Sequence, residues 1–399
     1  MNFEINGFLL FGLLLLAGVV GGDIARKSKR IPRIIGYILF GFLIGPGALG
    51  LLNDASIKDA QIFLDIALGL ILYQIGAYLN ISELSHNPRL IFSSFIESLF
   101  TFCIVAVGLY YSKFSLLLSF LFGAIAISSS PAVILATVRE YGVKGVFSKR
   151  ILNLVALNNM FSFLFFAMVM PFVHWQNEQS LHKIITYTPI MLLGSAGIGW
   201  VLASFKERIS FFVAMNKHNQ VSLLLAFTGL GLGLAKMLDL SYMLTMLSMG
   251  LFCFNSPIPH KDAATPLDEP GDISELSIMI LFVIAGVKLN FSNLYELLGF
   301  SLLFICLRSA SKILGLFIVR PDKDLDKKHT LLLGISLTPM AGLAMGLSLM
   351  LNNLYPELMN AYIPYIFAVI ALLELLGPMA TEYSLRKSGE VDNQIRISH

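Results

Sequence analysis

Arg308 and Lys312 lie four residues apart inside the apolar run "FICLRSASKILGLFIV", which makes them the first candidates for chemistry in the chain. Residues four apart stack on one face of a helix, so the two charges are expected to share one environment. A basic side chain at membrane depth costs about 3 kcal/mol on insertion scales, so it needs a partner or an aqueous cavity. The acids that lie in other apolar runs are Asp65, Glu97 and Glu374.

Glu97 and Glu374 are the candidates to compensate Arg308 or Lys312. Each of these acids could instead carry a proton across the membrane, or serve as a structural acid whose charge is satisfied locally. Arg308 is equally open to a structural ion pair with a carboxylate elsewhere in the chain.

A second feature with chemical content is a phrase that occurs twice. It reads "ISSSPAVILA" at 127–136 and "ISLTPMAGLA" at 335–344, with hydroxyl residues ahead of a proline each time. A proline in mid-helix removes a backbone donor and clashes with the preceding turn, so each phrase predicts a broken helix whose freed backbone groups need partners. The residues that shape the breaks and supply hydroxyl partners are Ser128, Ser129, Ser130, Pro131, Ser336, Thr338 and Pro339.

The composition places these residues in a membrane protein. Hydrophobic residues make up 56% of the 399 residues, charged residues make up 13%, and the mean hydropathy is +0.77. These values lie outside the range of soluble domains and predict an all-α polytopic protein. Runs long enough to span a bilayer predict about 13 helices, at approximately 6–22, 34–50, 61–79, 89–111, 115–138, 149–172, 184–204, 219–236, 240–254, 274–290, 296–319, 329–351 and 358–379.

The repeated phrase indicates an inverted repeat. Its copies fall in the predicted segments 115–138 and 329–351, seven crossings apart, and "GAYLNISEL" and "GVKLNFSNL" match at nearly the same offset. An odd number of crossings turns the second copy upside down, which is the inverted-topology repeat of secondary transporters. We therefore expect one transmembrane domain, with a first repeat at about 6–138, a linking region at about 149–204 and a second repeat at about 219–379. Opposed half-helix dipoles would meet where the broken helices cross.

Lysine and arginine counts set the expected orientation. Most of the 28 basic residues fall on the side that carries "RKSKRIPR", which the positive-inside rule makes cytoplasmic. The N-terminus is then outside, and residues 380–399 form a short cytoplasmic tail of a protein of the cell membrane. The net charge of +3 reflects this bias and needs no nucleic acid. No P-loop motif occurs, so we expect neither a nucleotide-binding domain nor a cofactor.

Five stretches resemble successive signatures of the monovalent cation:proton antiporter-2 family, which includes bacterial sodium/proton antiporters and Kef-type potassium/proton antiporters. They are "IPRIIGYILFGFLIGPGALG", "AISSSPAVILATVREYG", "LFVIAGVKLNFSNL", "SASKILG" and "SLTPMAGLAMGLSL". The resemblance implies a transporter rather than an enzyme, which exchanges Na+ or K+ for protons by alternating access. It also implies a homodimer in a lipid bilayer, with a core around the crossed breaks moving against a dimerisation domain.

The resemblance further implies an ion site on the segment 149–172, where relatives carry an Asp-Asp or Asn-Asp pair. Here the run is "VALNNMFSF", and the pair is Asn158–Asn159. An amide can coordinate a cation through its oxygen but cannot titrate. A Na+ or K+ site at Asn159 would therefore lack the usual proton acceptor, and no other metal site is expected. The alternative is that both residues are hydrogen-bonding groups that pack helices together.

The remaining members of the implied site are Ser130, Thr338 and Lys312. Ser130 and Thr338 would offer hydroxyl or backbone oxygens to an ion. Lys312 in "SASKILG" matches the lysine that relatives pair with the site carboxylate, and here we expect it to face amides instead. It would be the switching charge, because a buried lysine can lose its proton whereas an arginine stays charged.

Two other functions stay open at this point. A core with Lys312 and Arg308 but without carboxylates on 149–172 could prefer an anion, or could pass a substrate without proton exchange, because positive potential in a low-dielectric cavity repels a bare cation. The chain could also be a non-transporting sensor that has kept the scaffold and lost the chemistry.

Overall fold

The computed structural model describes residues 6–28, 33–52, 60–78, 81–143, 145–176, 181–212, 217–256, 271–287, 294–322, 325–359 and 361–391. These residues form helices, and the described ranges contain no strand. In chain order the helices are α1 (Gly7–Ser28), α2 (Arg33–Ile44), α3 (Gln61–Tyr78), α4 (Ile81–His86), α5 (Pro88–Tyr111), α6 (Leu116–Ile127), α7 (Pro131–Glu140), α8 (Val146–Gln176), α9 (Leu181–Phe212), α10 (Lys217–Met237), α11 (Tyr242–Phe254), α12 (Gly271–Val287), α13 (Leu294–Ile318), α14 (Lys327–Ser336), α15 (Gly342–Leu354), α16 (Pro356–Met359) and α17 (Ile363–Ser388).

The predicted class is confirmed by the apolar helices. Eight helical stretches are long and apolar enough to cross a membrane, and five shorter apolar helices accompany them in the described part. Each overlaps one of the predicted segments. The largest difference is at α17, which continues to Ser388 although the predicted segment ends at 379. This extension is polar, so a hydropathy profile does not detect it. It is stabilised by a pair one helical turn apart, in which Arg386 Nε donates to Glu382 Oε1 over 2.7 Å.

The contacts divide the chain into two compact units. Unit 1 consists of Met1–Asp23, Gly36–Glu83 and His174–Lys288, and unit 2 consists of Ile24–Ile35, Leu84–Val173 and Leu289–His399. Each unit draws on both halves of the sequence. The division therefore does not follow the two predicted repeats.

Unit 1 is held together by close backbone approaches at glycines. A Cβ atom on Gly76 of α3 would lie 2.0 Å from the carbonyl oxygen of Leu247, and one on Gly250 of α11 would lie 1.8 Å from that of Tyr73. No side chain fits at either position, so α3 and α11 pack backbone to backbone. Small residues at helix contacts are typical of membrane proteins, where dispersion contacts between helices replace the hydrophobic effect.

Unit 2 contains both predicted broken helices. Within it, α5 packs against α6 and α13, and α17 packs against α7, α13, α14 and α15. The N-terminus of α8 is capped from the far end of the chain, because the Glu390 carboxylate accepts the backbone N–H groups of Phe147 at 2.5 Å and Ser148 at 3.0 Å. A carboxylate is favourable there because it meets the positive end of the helix dipole. This cap anchors the helix that carries Asn158 and Asn159.

The first break agrees with the prediction from Pro131. Helix α6 ends at Ile127, residues 128–130 are not helical, and α7 restarts at Pro131 itself. Proline is well suited to the first helical position because its missing N–H would have no partner there. Ser130 is the cap, and its hydroxyl accepts the N–H of Val133 at 3.4 Å.

The second break is longer than the first. Helix α14 ends at Ser336 and α15 begins only at Gly342, so Pro339 lies inside the non-helical stretch rather than at the helix start. The residue before α15 is Ala341, whose side chain offers no cap to the helix. The two breaks are joined by hydrogen bonds from Ser130 N to the carbonyl of Pro339 at 2.8 Å and from the Ser129 hydroxyl to that of Leu337 at 3.0 Å.

Candidate functional site

Arg308 lies between the two breaks and is fully buried. Its guanidinium donates to the carbonyl oxygens of Ala126 at 2.9 Å, Ser128 at 2.6 Å and Leu337 at 3.2 Å. It also reaches the carbonyls of Thr338 and Pro339. These carbonyls belong to the C-terminal ends of α6 and α14 and to the stretches that follow them, where helical partners are missing and the helix dipoles favour a cation.

The expected carboxylate partner of Arg308 is therefore replaced by backbone carbonyls. The five N–H groups of arginine can satisfy several carbonyls at once, which an ammonium group does less well. Breaking two helices creates these unpaired carbonyls. Arg308 stabilises the crossing that the prolines produce.

The serines of the breaks supply most of the other backbone partners, as the sequence predicts. The hydroxyl of Ser128 donates to the carbonyl of Ile125 at 2.7 Å, and that of Ser336 donates to Leu333 at 2.7 Å. Ser128, Ser129 and Ser130 are each about 1% exposed, whereas Thr338 is half-buried. The hydroxyls of the four serines are engaged in holding the breaks.

Asn158 and Asn159 are both fully buried on α8, but they face different neighbours. The amide oxygen of Asn159 accepts the N–H of Ser129 at 3.1 Å, so Asn159 lies beside the first break. The amide oxygen of Asn158 accepts the hydroxyls of Ser94 at 2.8 Å and Ser98 at 3.5 Å on α5. Successive residues of a helix point about 100° apart, so these two amides serve two places.

Lys312 and Glu97 form an ion pair whose side chains are both 0% exposed. The distance from Lys312 Nζ to Glu97 Oε1 is 2.8 Å, and Lys312 also donates to the carbonyl of Ile127 at 2.8 Å, at the end of α6. The expectation that Lys312 faces the amides is thus corrected. A carboxylate on α5 meets it instead, and this pairing offsets the cost of burying both charges.

The second oxygen of Glu97 is buried and has no hydrogen-bond partner among the described residues. The first oxygen also accepts the hydroxyl of Thr101 at 3.3 Å, and Thr101 in turn accepts the hydroxyl of Ser311 at 3.3 Å. Ser94, Glu97, Ser98 and Thr101 lie at helical spacings along one side of α5. The helical spacing of these four polar residues was the sequence signal for a polar site at Glu97. It is missed when charged residues are considered one at a time.

A glycine on α13 allows α5 and α13 to come this close. A Cβ atom on Gly315 would lie 2.7 Å from the Cα of Glu97, a separation that real Cβ atoms essentially never show. Gly315 is the last residue of "SASKILG", one turn after Lys312. The motif thus supplies both the cation and the space for its partner.

Two other acids were predicted at membrane depth, Glu374 and Asp65. Glu374 is buried on α17, and the contacts of Arg308 and Lys312 given above do not involve it. Asp65 belongs to unit 1, where its carboxylate accepts hydrogen bonds from the side chains of Lys236 at 2.5 Å, Tyr242 at 3.1 Å and Gln61 at 2.8 Å. These hydrogen bonds compensate the carboxylate within unit 1, as expected for an acid with a structural role.

The buried groups of unit 2 near the two breaks offer mainly oxygen atoms as potential cation ligands. Within the described ranges, no group of three or more His, Cys, Asp or Glu side chains could hold a metal ion. What unit 2 offers at membrane depth is the carboxylates of Glu97 and Glu374 together with amide, hydroxyl and carbonyl oxygens. Transition metals favour nitrogen and sulfur ligands, whereas hard cations take oxygens.

Comparison with known proteins also indicates a membrane transporter. The family model described as "Sodium/hydrogen exchanger, transmembrane" matches residues 11–385. Over 413 residues, spanning all of both chains, the sequence is 20% identical to the Na(+)/H(+)-K(+) antiporter GerN of Bacillus cereus. It is 24% identical over 199 residues to the probable Na(+)/H(+) antiporter GerT of the same organism; that match covers 48% of this chain and about half, 52%, of GerT.

Solved structures show the fold. Two structures of the sodium proton antiporter MjNhaP1 from Methanocaldococcus jannaschii match 98% of this chain and 99% of their own chain at 18% sequence identity. The structure at pH 8 gives a TM-score of 0.68, and the electron-microscopy structure gives 0.73. The antiporter fold predicted from the two broken helices is thereby confirmed.

Proposed function

The chain belongs to the sodium/hydrogen exchanger family, and from that premise we propose that it exchanges a monovalent cation, Na+ or K+, for protons by alternating access. The proposed ion pathway passes the crossing of the broken helices, where Asn158, Asn159, Ser130, Thr338 and Lys312 lie on α8, on the two breaks and on α13. The names of the relatives support both cations, because GerN is described as a Na(+)/H(+)-K(+) antiporter.

One observation carries this proposal, the fully buried pair of Glu97 and Lys312. Exchange against protons requires a group that binds a proton in one step and releases it in another. The amides of Asn158 and Asn159 cannot do this, whereas a carboxylate and an ammonium at hydrogen-bonding distance can. The pair supplies at membrane depth the titratable charge that the asparagines lack.

The same pair weakens the anion reading. An anion site requires positive charge that is not already neutralised. Lys312 is paired with Glu97, and Arg308 is surrounded by the carbonyl ends of two half-helices. The geometry therefore favours a cation over an anion, and exchange over uncoupled passage.

We extend the proposal to assembly and location. The protein is a homodimer of the cell membrane, with the N-terminus outside and the C-terminus in the cytoplasm. The support is the distribution of lysine and arginine between the loops. The support for the dimer is the family resemblance.

The test is an exchange assay with the full chain in sealed liposomes. A pH gradient is imposed, a pH-sensitive dye reports it, and NaCl, KCl or choline chloride is added outside. We expect Na+ or K+ to collapse the gradient, choline to have no effect, and Lys312→Met to abolish the response. Asp65→Asn in unit 1 is the matched control and should retain exchange, because its amide can keep the hydrogen bond from Tyr242.

Two results would contradict cation exchange. A gradient that no alkali cation collapses would show that the fold does not carry out antiport in this chain. A response that follows chloride, and disappears when sodium gluconate replaces NaCl, would instead identify an anion transporter.

A further inference from the structure

We propose that the transported cation binds at Glu97, in a polar seam between α5, α8 and α13, and not beside Asn159 at the crossing. The inference rests on the cation exchange proposed above and locates its site. We call this place the Glu97 seam. Its residues are Ser94, Glu97, Ser98, Thr101, Asn158, Ser311 and Lys312.

One carboxylate oxygen of Glu97 has no hydrogen-bond partner among the described residues. Its Oε2 atom is the one carboxylate oxygen among the buried side-chain atoms that have no partner in the described part of the chain. A buried carboxylate oxygen without a partner is costly, and such an atom calls for a ligand. A cation is the ligand that a carboxylate oxygen takes most readily in a dry environment.

Neutral oxygens line the same side of α5 as Glu97 and the helices that face it. The hydroxyl of Thr101 lies 3.3 Å from the other oxygen of Glu97, and the hydroxyl of Ser311 lies 3.3 Å from Thr101. On the side of α8, the amide oxygen of Asn158 gathers the hydroxyls of Ser94 and Ser98. Hydroxyl groups rotate, so each can turn a lone pair toward a cation without movement of the backbone.

The side-chain oxygens of Asn159 and Ser130, beside the crossing, already accept hydrogen bonds. The amide oxygen of Asn159 accepts the N–H of Ser129, and the hydroxyl of Ser130 accepts the N–H of Val133. The carbonyl groups of the breaks, which lack helical partners, accept hydrogen bonds from Arg308, whose positive charge is permanent. A cation placed there would meet fixed positive charge in a low dielectric, whereas at Glu97 it meets a negative one.

Charge balance gives the stoichiometry. A bare cation entering the seam adds one positive charge beside the Lys312 ammonium, and the repulsion between them is strong when both are buried. The Lys312 ammonium then loses one proton to the water on the open side and becomes a neutral amine, which restores the original charge. One cation enters and one proton leaves, and the reverse step returns the proton when the cation departs.

The experiment measures cation binding and proton release together. Purified full-length protein in weakly buffered detergent solution is titrated with NaCl or KCl, while a calorimeter records binding and a pH dye records protons. Choline chloride corrects for ionic strength. The variants are Glu97→Gln, Glu97→Asp, Asn159→Ala and the pair Glu97→Gln with Lys312→Met, which removes both buried charges and so guards against misfolding. Asp65→Asn is the buried-acid control.

We expect the unmodified protein to release about one proton for each cation bound. Glu97→Gln and the double variant should bind the cation about 10- to 100-fold more weakly and release no proton, the loss expected for one charge-assisted contact. Glu97→Asp keeps the carboxylate one methylene farther away, so it should retain proton release and change the preference between Na+ and K+. Asp65→Asn should bind within a few-fold of the unmodified protein, and Asn159→Ala should still release about one proton for each cation that it binds.

The opposite pattern would overturn the inference. If Glu97→Gln binds and releases protons normally while Asn159→Ala abolishes both, the cation site is at the crossing, and cation exchange as such survives. If the unmodified protein neither binds Na+ or K+ nor exchanges them in liposomes, the proposed function itself fails. The two failures are thus separable.

Discussion

Lys312 Nζ lies 2.8 Å from Glu97 Oε1, and neither side chain is exposed. The two residues are separated by 215 positions in the sequence, on α13 and α5, and both helices belong to unit 2. Charges buried in this way are stable only as a pair, since each one alone would lack compensation.

Removing one member of the pair should destabilise the protein more than removing both. Glu97→Gln or Lys312→Met alone should lower the free energy of unfolding by about 3 to 5 kcal/mol, because an uncompensated charge or donor remains buried. The double variant should recover most of that loss. Denaturant unfolding in detergent micelles measures all three, and additive single and double values would show that the two residues do not interact.

Gly315→Ala should loosen the contact between α5 and α13. The added Cβ would lie 2.7 Å from the Cα of Glu97, so one helix must move, at a cost of about 1 to 3 kcal/mol. Gly299→Ala on the same helix is the control, because a Cβ there meets nothing within 4 Å. Thermal unfolding should separate the two variants, and equal melting temperatures would argue against close packing at Gly315.

Arg308→Lys should destabilise the crossing although it keeps the positive charge. An ammonium cannot reach the carbonyls of Ala126, Ser128 and Leu337 together, and each buried carbonyl left without a donor costs about 1 to 3 kcal/mol. Arg320→Lys, which loses a single bond to the carbonyl of Leu325, should cost about 1 kcal/mol or less. Chemical unfolding of both variants checks this, and an Arg308→Lys variant as stable as Arg320→Lys would contradict it.

The start of α14 should weaken in acid. The backbone N–H and the ring of His329 hold the pKa of the Asp326 carboxyl below its usual range. A carboxyl with a depressed pKa in the folded state contributes stability at neutral pH, and that contribution is lost as the pH falls through the folded-state pKa. Asp326→Asn keeps a capping side chain that does not titrate, so its melting temperature should depend less on pH between about 5 and 3. Identical pH profiles would rule out this role.

The membrane class and the two helix breaks could be predicted from the sequence because each has a local cause. Hydropathy marks the spans, and Pro131 and Pro339 mark the breaks wherever the helices pack. The length of the second break was not accessible, because Pro339 does not occupy the first helical position there as Pro131 does.

The partners of the buried charges could not be predicted, because they depend on which helices meet. The sequence left Glu97 and Glu374 as alternative partners for the two basic residues, and the approach of α5 to α13 at Gly315 brings Glu97 beside Lys312. Arg308 was expected to seek a carboxylate. Its partners are carbonyls that exist only because two distant helices break at the same place.

The unequal breaks make the two halves of the repeat mechanically different. Helix α7 starts with proline under a serine cap, whereas α15 starts after an uncapped alanine, and a missing cap costs about 1 kcal/mol. The first turn of α15 should therefore fray and exchange its amide hydrogens faster than that of α7. The two broken helices would then differ in rigidity, with the break before α7 rigid and the break before α15 flexible.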